Sequence, residues 1–431
     1  MSQYKLFTTL LKAKPMRDLM NNLKKKGWNV GIPMFKEWIE KDYIVNSPTY
    51  NFLGKNCIDK LTSFLKKRSE IKKVLIVTTD GMVKQELYIK TIQAISNANV
   101  AFETYGSLKA NPSIKAINEI VWKYKDKKCD CLIALGGGSA HDAVKGAGLI
   151  LVNNKTLKKY QGINFTKHKS VLRIHINTTA GTGAETTNVI VVSDTEKHRK
   201  FVVADKYLMP DVTFNDPELM LGLPASTTAW TGVDALVHAI ESYLSNDYDV
   251  QAKVYALEAM HLIFDNLPTA CTQPTNVNAR DNMCYAQFLA GQAFNITSLG
   301  FIHSLSHPLT ALFNTPHGLA NAMLLPNVLE YELKYDKVVE LLDRIAWSFK
   351  IKGSDPKQNA RVLIAKIRNL LKEVNIPDHL EIKDHAVLTD EELNILTKQA
   401  MIDFCGISNP VQFSRKQLKT IYQFAFKGGS K

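Results

Sequence analysis

From about Asn56 onward, short apolar runs alternate with amphipathic stretches. Val74-Leu75-Ile76-Val77-Thr78-Thr79 has no polar alternation, the pattern of a strand buried on both faces. A helical pattern follows through Tyr88, Ile92 and Ile95. Val100 to Glu103 predicts a second strand, Ile114 to Tyr124 a helix, and Cys131 to Leu135 a third strand. This β-α-β-α-β order predicts parallel strands with helices on their faces. Val171 to Asn177 adds a strand, and Val189 to Ser193 with Phe201 to Ala204 predict a hairpin carrying Lys200. After Leu223-Pro224 the apolar spacing becomes helical and stays so to the C-terminus. The expected fold class is an α/β N-terminal domain on a parallel sheet, followed by an all-α C-terminal domain.

Residues 1–45 break this order. Leu6, Phe7, Leu10 and Leu11 can share one helical face, Pro15 interrupts, and Met16, Leu19, Met20 and Leu23 resume the spacing. Lys12, Lys14, Arg17 and Lys24 to Lys26 load the polar side. The segment lacks the long apolar region of a secretory signal. It is expected to pack on the body or on a partner subunit; an organelle presequence or encapsulation peptide is the alternative. The expected division is an extension at 1–45, an α/β domain at 46–223 and a helical domain at 224–431.

Composition narrows the class. Of 431 residues, 45% are hydrophobic and 22% charged, the balance of a globular protein. No apolar run reaches membrane-spanning length. The six cysteines are scattered without disulfide or zinc-ribbon spacing, so a reducing, cytoplasmic setting is expected, with the extension as a candidate targeting element. The net charge is +13, but no aromatic-interleaved basic stripe accompanies it; a solvated lysine-rich surface is expected rather than a nucleic-acid partner.

Two loops and one long stretch carry candidate chemistry. The third strand runs into Gly136-Gly137-Gly138-Ser139-Ala140-His141-Asp142, and glycines between a strand and a helix let backbone approach a phosphate. The loop is not G-x-G-x-x-G, so the usual Rossmann fingerprint is absent. A second loop, Thr178-Thr179-Ala180-Gly181-Thr182-Gly183-Ala184-Glu185, follows a strand of the same sheet and could embrace a pyrophosphate or a nicotinamide amide. Together they make the first domain a candidate dinucleotide-binding domain. Further on, Asp234 and His238 are four apart, as are His303 and His307, so each pair shares a helical face. His317 follows at a Pro-His-Gly break. A histidine on an apolar helix face is more often a hydrogen-bonded core residue than a ligand. Here, however, Val233, Ala235, Leu236, Val237, Ala239 and Ile240 surround Asp234 and His238, and a buried carboxylate needs a partner such as a cation. A mixed N/O set suits Zn, Fe or Mn.

These motifs resemble the iron-containing (group III) alcohol dehydrogenase family, over roughly Tyr50 to Phe426, and within it the lactaldehyde/propanediol oxidoreductase branch. The resemblance implies a nucleotide-binding domain and a helical domain with the site between them. It implies Asp234, His238, His303 and His317 as ligands of one divalent metal, Fe2+ or Zn2+, with Mn2+ as a third candidate. It places His307 in the cleft near the nicotinamide, not among the ligands, and His307 is the candidate catalytic residue for relaying the proton to solvent. Thr79, Asn111, Gly137, Gly138, Ser139, Asp142, Thr178, Thr179, Thr182, Lys200 and Leu219 fall at or beside cofactor-contacting positions. Val189, Val191, Phe294, Leu299 and Cys405 match the substrate pocket. Thr310, Trp230 and Lys253 depart from the usual family residues.

The implied reaction is hydride transfer between a nicotinamide cofactor and a small primary alcohol or aldehyde, in a homo-oligomer, expected as a dimer. Alternatives are a reductase of a small anionic aldehyde such as sulfoacetaldehyde or phosphonoacetaldehyde, a hydroxyacid–oxoacid transhydrogenase, or a filament- or shell-associated scaffold with residual activity. In this branch an Asp after the first strand holds the adenosine ribose; ungapped alignment puts Thr79 there, with Asp80 one residue later. NAD is therefore the expected main cofactor, with NADP discriminated against less strongly than an Asp would manage.

Overall fold

The alternation read from the sequence is present in the computed structural model, which describes residues 47–426 apart from 154, 164, 197–198 and 383–387. The expectations for residues 1–45 lie outside the described residues. The first half contains β1 (Tyr50–Leu53), α1 (Lys60–Lys66), β2 (Lys73–Val77), α2 (Asp80–Val83), α3 (Glu86–Ser96), β3 (Ala101–Tyr105), α4 (Ile114–Asp126), β4 (Cys131–Gly136) and α5 (Gly138–Asn153). It continues through β5 (Gly162–Ile163), β6 (Arg173–Asn177), β7 (Val189–Asp194), β8 (Arg199–Ala204) and β9 (Val212–Asn215). The second half is helical: α6 (Ala225–Leu244), α7 (Val250–Thr272), α8 (Val277–Thr297), α9 (Phe301–Phe313) and α10 (His317–Glu332). It ends with α11 (Asp336–Ser348), α12 (Pro356–Glu373), α13 (Asp390–Ala400) and α14 (Arg415–Phe426).

Six strands form one all-parallel sheet in the order β1-β9-β6-β4-β2-β3. Val74 to Val77 and Leu132 to Leu135 are fully buried, as their unbroken apolar runs require of strands covered on both faces. Gly136 pairs with Asn177 and Asn177 with Asn215, so these carboxyl ends line up along one edge, where α/β sheets bind ligands. The β7–β8 hairpin is antiparallel as expected and gains a third strand, β5.

Several sequence expectations shift. The first buried strand stops at Val77, and Thr79 instead caps α2, its hydroxyl accepting from Met82 N at 3.4 Å. The second strand runs from Ala101 to Tyr105 rather than from Val100 to Glu103, and β6 begins at Arg173 rather than Val171. Strands β1, β5 and β9 carry no sequence signal of their own. They span four, two and four residues, too short for a periodicity to show.

In the helical half, α6 is apolar almost all round and packs against α7, α8, α10 and α11. Lys253, one of the departures, donates to Tyr243 O at 2.7 Å in the last turn of α6, where a cation suits the helix dipole. Thr310 turns its hydroxyl onto Ser306 O at 3.2 Å, and Trp230 packs on the helical core. No helix among the described residues is long and apolar enough to cross a membrane.

The two halves meet along a polar seam. Gly183, at φ +59, lies so close to α8 that a Cβ would come within 2.7 Å of Gly291 Cα. Gln287 accepts from Gly183 N at 3.1 Å and donates to Glu185 Oε1 at 2.7 Å and to Asn215 Oδ1 at 3.1 Å. Asn188 N donates to Asn295 Oδ1 at 3.0 Å, and Gln292 donates to Thr186 O at 3.3 Å.

Candidate metal centre and nucleotide cleft

Helix α6 brings Asp234 and His238 to one face, α9 brings His303, and α10 begins at His317. Asp234 Oδ1 lies 3.9 Å from His238 Nε2 and 3.8 Å from Nε2 of both His303 and His317. Two atoms that share an ion at about 2.1 Å each can be no more than about 4.2 Å apart, so these separations fit a common cation. The ligand atoms of Asp234, His303 and His317 also lie within 4.8 Å of one another. Asp234 and His303 are buried, and His317 is half-buried on the open side. One carboxylate and imidazole nitrogens form a borderline donor set of the kind that Fe2+, Zn2+ and Mn2+ accept.

The surroundings fix the orientation of these side chains. Glu241, one turn beyond His238, accepts from His303 Nδ1 at 2.5 Å and from Ile302 N at 2.6 Å. With its Nδ1 proton held there, His303 presents Nε2 as a lone pair. Asn321, four residues after His317, donates to Asp234 Oδ1 at 2.7 Å, with His303 Nε2 and His317 Nε2 at 3.0 and 3.2 Å from the same nitrogen. Burial pushes the Asp234 carboxyl up, but His238, His317 and His303 outweigh it and bring it below the usual range. Burial lowers His238 to about 4, and likewise depresses His317. Burial also pushes His303 down, but Glu241 outweighs it and raises the imidazole.

His307 sits on the same helix as His303 but turns elsewhere. Its Nδ1 donates to Asp403 Oδ2 at 2.8 Å. Asp403 Oδ1 accepts from Cys405 N at 2.9 Å and from Ser304 Oγ at 3.3 Å. The His307 and His317 rings stack with centroids 5.2 Å apart, so this pair adjoins the Asp234 cluster.

At the carboxyl edge of the sheet the two loops interlock. A Cβ on Gly137 would come 2.9 Å from Thr179 Oγ1, and one on Gly138 3.0 Å from Thr182 Cγ2. Thr178 N donates to Gly136 O at 3.1 Å, Thr179 N to Asn177 Oδ1 at 3.1 Å, and Ala184 N to Thr182 Oγ1 at 3.3 Å. Across from them, Asn111 in a left-handed conformation donates its N–H to Ser139 Oγ at 3.1 Å and accepts from Lys200 Nζ at 2.8 Å. Burial lowers the Lys200 ammonium to about 8 against the pull of Asp142 and Asp403. Asp142 spends one oxygen on Val191 N at 3.0 Å, tying α5 to the hairpin. Leu219 is buried in the apolar cluster beneath the sheet. Asp80 pairs with Lys84 at 3.5 Å on the surface.

Of the expected pocket residues, Phe294 lies with its ring 4.5 Å from that of His238. Leu299 accepts from Ser408 Oγ at 2.5 Å, in the turn that carries buried Cys405. Val189 and Val191 are half-buried on β7. Sequence reasoning passed over Glu241, Asn321 and Asp403. Glu241 and Asn321 were within reach, since each lies one helical turn from a candidate ligand. Asp403 is 96 residues from His307 and carries no local signal.

A parallel-sheet domain with a glycine-threonine cradle at its carboxyl edge is joined to a helical domain that gathers one carboxylate and three imidazoles. The chain belongs to the iron-containing alcohol dehydrogenase family. Residues 48–217 match the family described as iron-containing alcohol dehydrogenase, and residues 228–426 the C-terminal part of the Fe-containing alcohol dehydrogenase family. Alcohol dehydrogenase 4 of Schizosaccharomyces pombe is 35% identical over 378 residues, 88% of each chain. The 1,3-propanediol dehydrogenase of Klebsiella pneumoniae is 35% identical over 395 residues, covering 89% of this chain and 98% of that one. Among solved structures, a 1,3-propanediol oxidoreductase aligns with a TM-score of 0.84 at 34% identity over 88% of this chain and 98% of its own. The sulfoacetaldehyde reductase of Bifidobacterium kashiwanohense, solved in complex with NAD+, aligns with a TM-score of 0.77 at 26% identity over 89% and 98%. The chain is thus an oxidoreductase of a family acting on small alcohols and aldehydes.

Proposed function

We propose that this protein interconverts a small, uncharged primary alcohol and its aldehyde, using one divalent metal and NAD. The observation that carries this reading is Asp234 Oδ1 standing 3.8 to 3.9 Å from three imidazole nitrogens, on the same cleft as the interlocked loops. When bound, a cation held by Asp234, His238, His303 and His317 would act as a Lewis acid toward the substrate oxygen, and the nicotinamide would accept or supply the hydride. Asn321 and Glu241 keep Asp234 and His303 aimed. His307, with its Nδ1 proton held by Asp403, has Nε2 free to take the hydroxyl proton and pass it to solvent. Gly137 and Gly138 make room for the Thr179 and Thr182 side chains, and the start of α5 offers backbone N–H groups to a pyrophosphate, with Lys200 and Asn111 beside the loop.

Phe294, Leu299, Val189, Val191 and Cys405 give the pocket an apolar lining, which favours a short substrate. Lys200, the cation beside it, already faces Asp142 and Asp403, which favours an uncharged substrate over an anionic one. The likeness to a 1,3-propanediol dehydrogenase and to a reductase solved with NAD+ supports the substrate size and the cofactor. The test is a panel of small aldehydes and alcohols with NADH, NADPH and their oxidised forms, on protein of measured metal content. Turnover of short aliphatic aldehydes with about one metal per chain is expected. Full activity in rigorously metal-free protein would sink the reading.

A further inference from the structure

Beside the Asp234 cluster lies a second convergence of donors. His307, Asp403 and Cys405 bring an imidazole nitrogen, a carboxylate oxygen and a thiol sulfur within 4.8 Å of one another. The cleft reaches two of them: the His307 and Asp403 side chains are 14% and 15% exposed. Cys405 is buried behind them. None of the Asp234 cluster's donors is sulfur, so the two groups differ in softness. The first suits Fe2+, Zn2+ or Mn2+, whereas an N/O/S set with a thiolate favours thiophilic cations.

We propose that His307, Asp403 and Cys405 form a second cation site, selective for thiophilic dications such as Zn2+ and Cd2+, and that its occupation switches off the proton relay. The binding step balances as follows. The Cys405 thiol gives its proton to solvent, and Sγ bonds the cation. His307 moves its proton from Nδ1 to Nε2 and bonds through Nδ1. Asp403 gives up the His307 hydrogen bond and coordinates with the freed oxygen, while its other oxygen keeps Cys405 N and Ser304 Oγ. One proton is released per cation. His307 Nε2, an acceptor while Asp403 holds Nδ1–H, then becomes an N–H donor and cannot accept the hydroxyl proton. Burial holds the Cys405 thiol well above its usual range, which disfavours a bare thiolate and leaves a cation to compensate it. The inhibition rests on the relay role proposed for His307; the binding does not.

Cadmium titration of the full chain tests the two parts separately. A cadmium–thiolate bond has a charge-transfer band in the ultraviolet that nitrogen and oxygen ligands do not give. The band is expected to grow with Cd2+, to vanish in Cys405→Ser, and to saturate only at concentrations at least about tenfold higher in Asp403→Asn. It is expected to survive in His238→Ala, which dismantles the other cluster. The remaining free cysteines are all buried, and the Cys405→Ser baseline subtracts them. Absence of the band, its persistence in Cys405→Ser, indifference to Asp403→Asn, or loss in His238→Ala would each overturn the site. Turnover should fall in step with the band. A band with turnover unchanged would uphold the site and overturn the relay role of His307.

Discussion

His307 Nδ1 lies 2.8 Å from Asp403 Oδ2, a contact closed between α9 and a turn near the C-terminus. This bond decides which nitrogen of the imidazole carries the proton. Asp403→Asn keeps the size but offers a neutral acceptor or, flipped, a donor that favours the wrong tautomer. Turnover is expected to fall roughly a hundredfold, with metal content unchanged. Steady-state kinetics alongside metal analysis checks this; loss of metal would mean that Asp403 supports the first cluster instead.

On the proposed reading, Glu241 acts on the metal centre through His303. Replacing it with Gln leaves the shape but removes the carboxylate that fixes Nδ1–H. Metal affinity, measured by chelator competition, is expected to drop about 10- to 100-fold. His317→Ala, which deletes a ligand, should release the metal outright. Equal affinity in Glu241→Gln and wild type would remove Glu241 from the site.

Glu332 gives a pH dependence to stability. Its carboxyl is buried, accepts from Asn409 Nδ2 at 2.8 Å, and is pushed up from 4.5 to about 8, by burial first and then by the Glu241 carboxylate. A group raised on folding stabilises fully below its unfolded value and loses that contribution as pH climbs to its folded value. Stability should therefore decline between about pH 4.5 and 8, at no more than about 1.4 kcal/mol per pH unit from this group. Glu332→Gln does not titrate, so its melting temperature should gain on wild type as pH rises from 5 to 8. An equal offset at both pH values would show that Glu332 ionises normally.

On the proposed reading, cofactor choice turns on the first turn after β2. Thr79 caps α2 there, while Asp80 is engaged with Lys84 at the surface. A hydroxyl does not repel a 2′-phosphate as a carboxylate does. Thr79→Asp is expected to lower kcat/KM with NADPH by about tenfold or more and to leave NADH within a few-fold. Wild-type protein that already rejects NADPH by several orders of magnitude would show that another group, such as Asp80, reaches the ribose.

The sequence announced the long elements and the glycine loops because their signals are local. Val74 to Val77 reads as buried on both faces, and the Asp234/His238 pair reads as a buried carboxylate needing a partner. β1 and β9 were not legible, since each spans four residues and owes its place to pairing partners at the far end of the domain. Asp403 was not legible for the same reason: only the folded chain brings it to His307. Glu241 and Asn321 lay in plain sight at one-turn spacing, but ligand patterns draw the eye to the ligands rather than to what steadies them.

Where Gly183 meets Gly291, backbone rests on backbone, so a side chain added at either position would wedge the two halves apart. In deuterium exchange, the Gly183 and Asn188 amides, whose acceptors lie across the joint, should be released only when the two halves come apart.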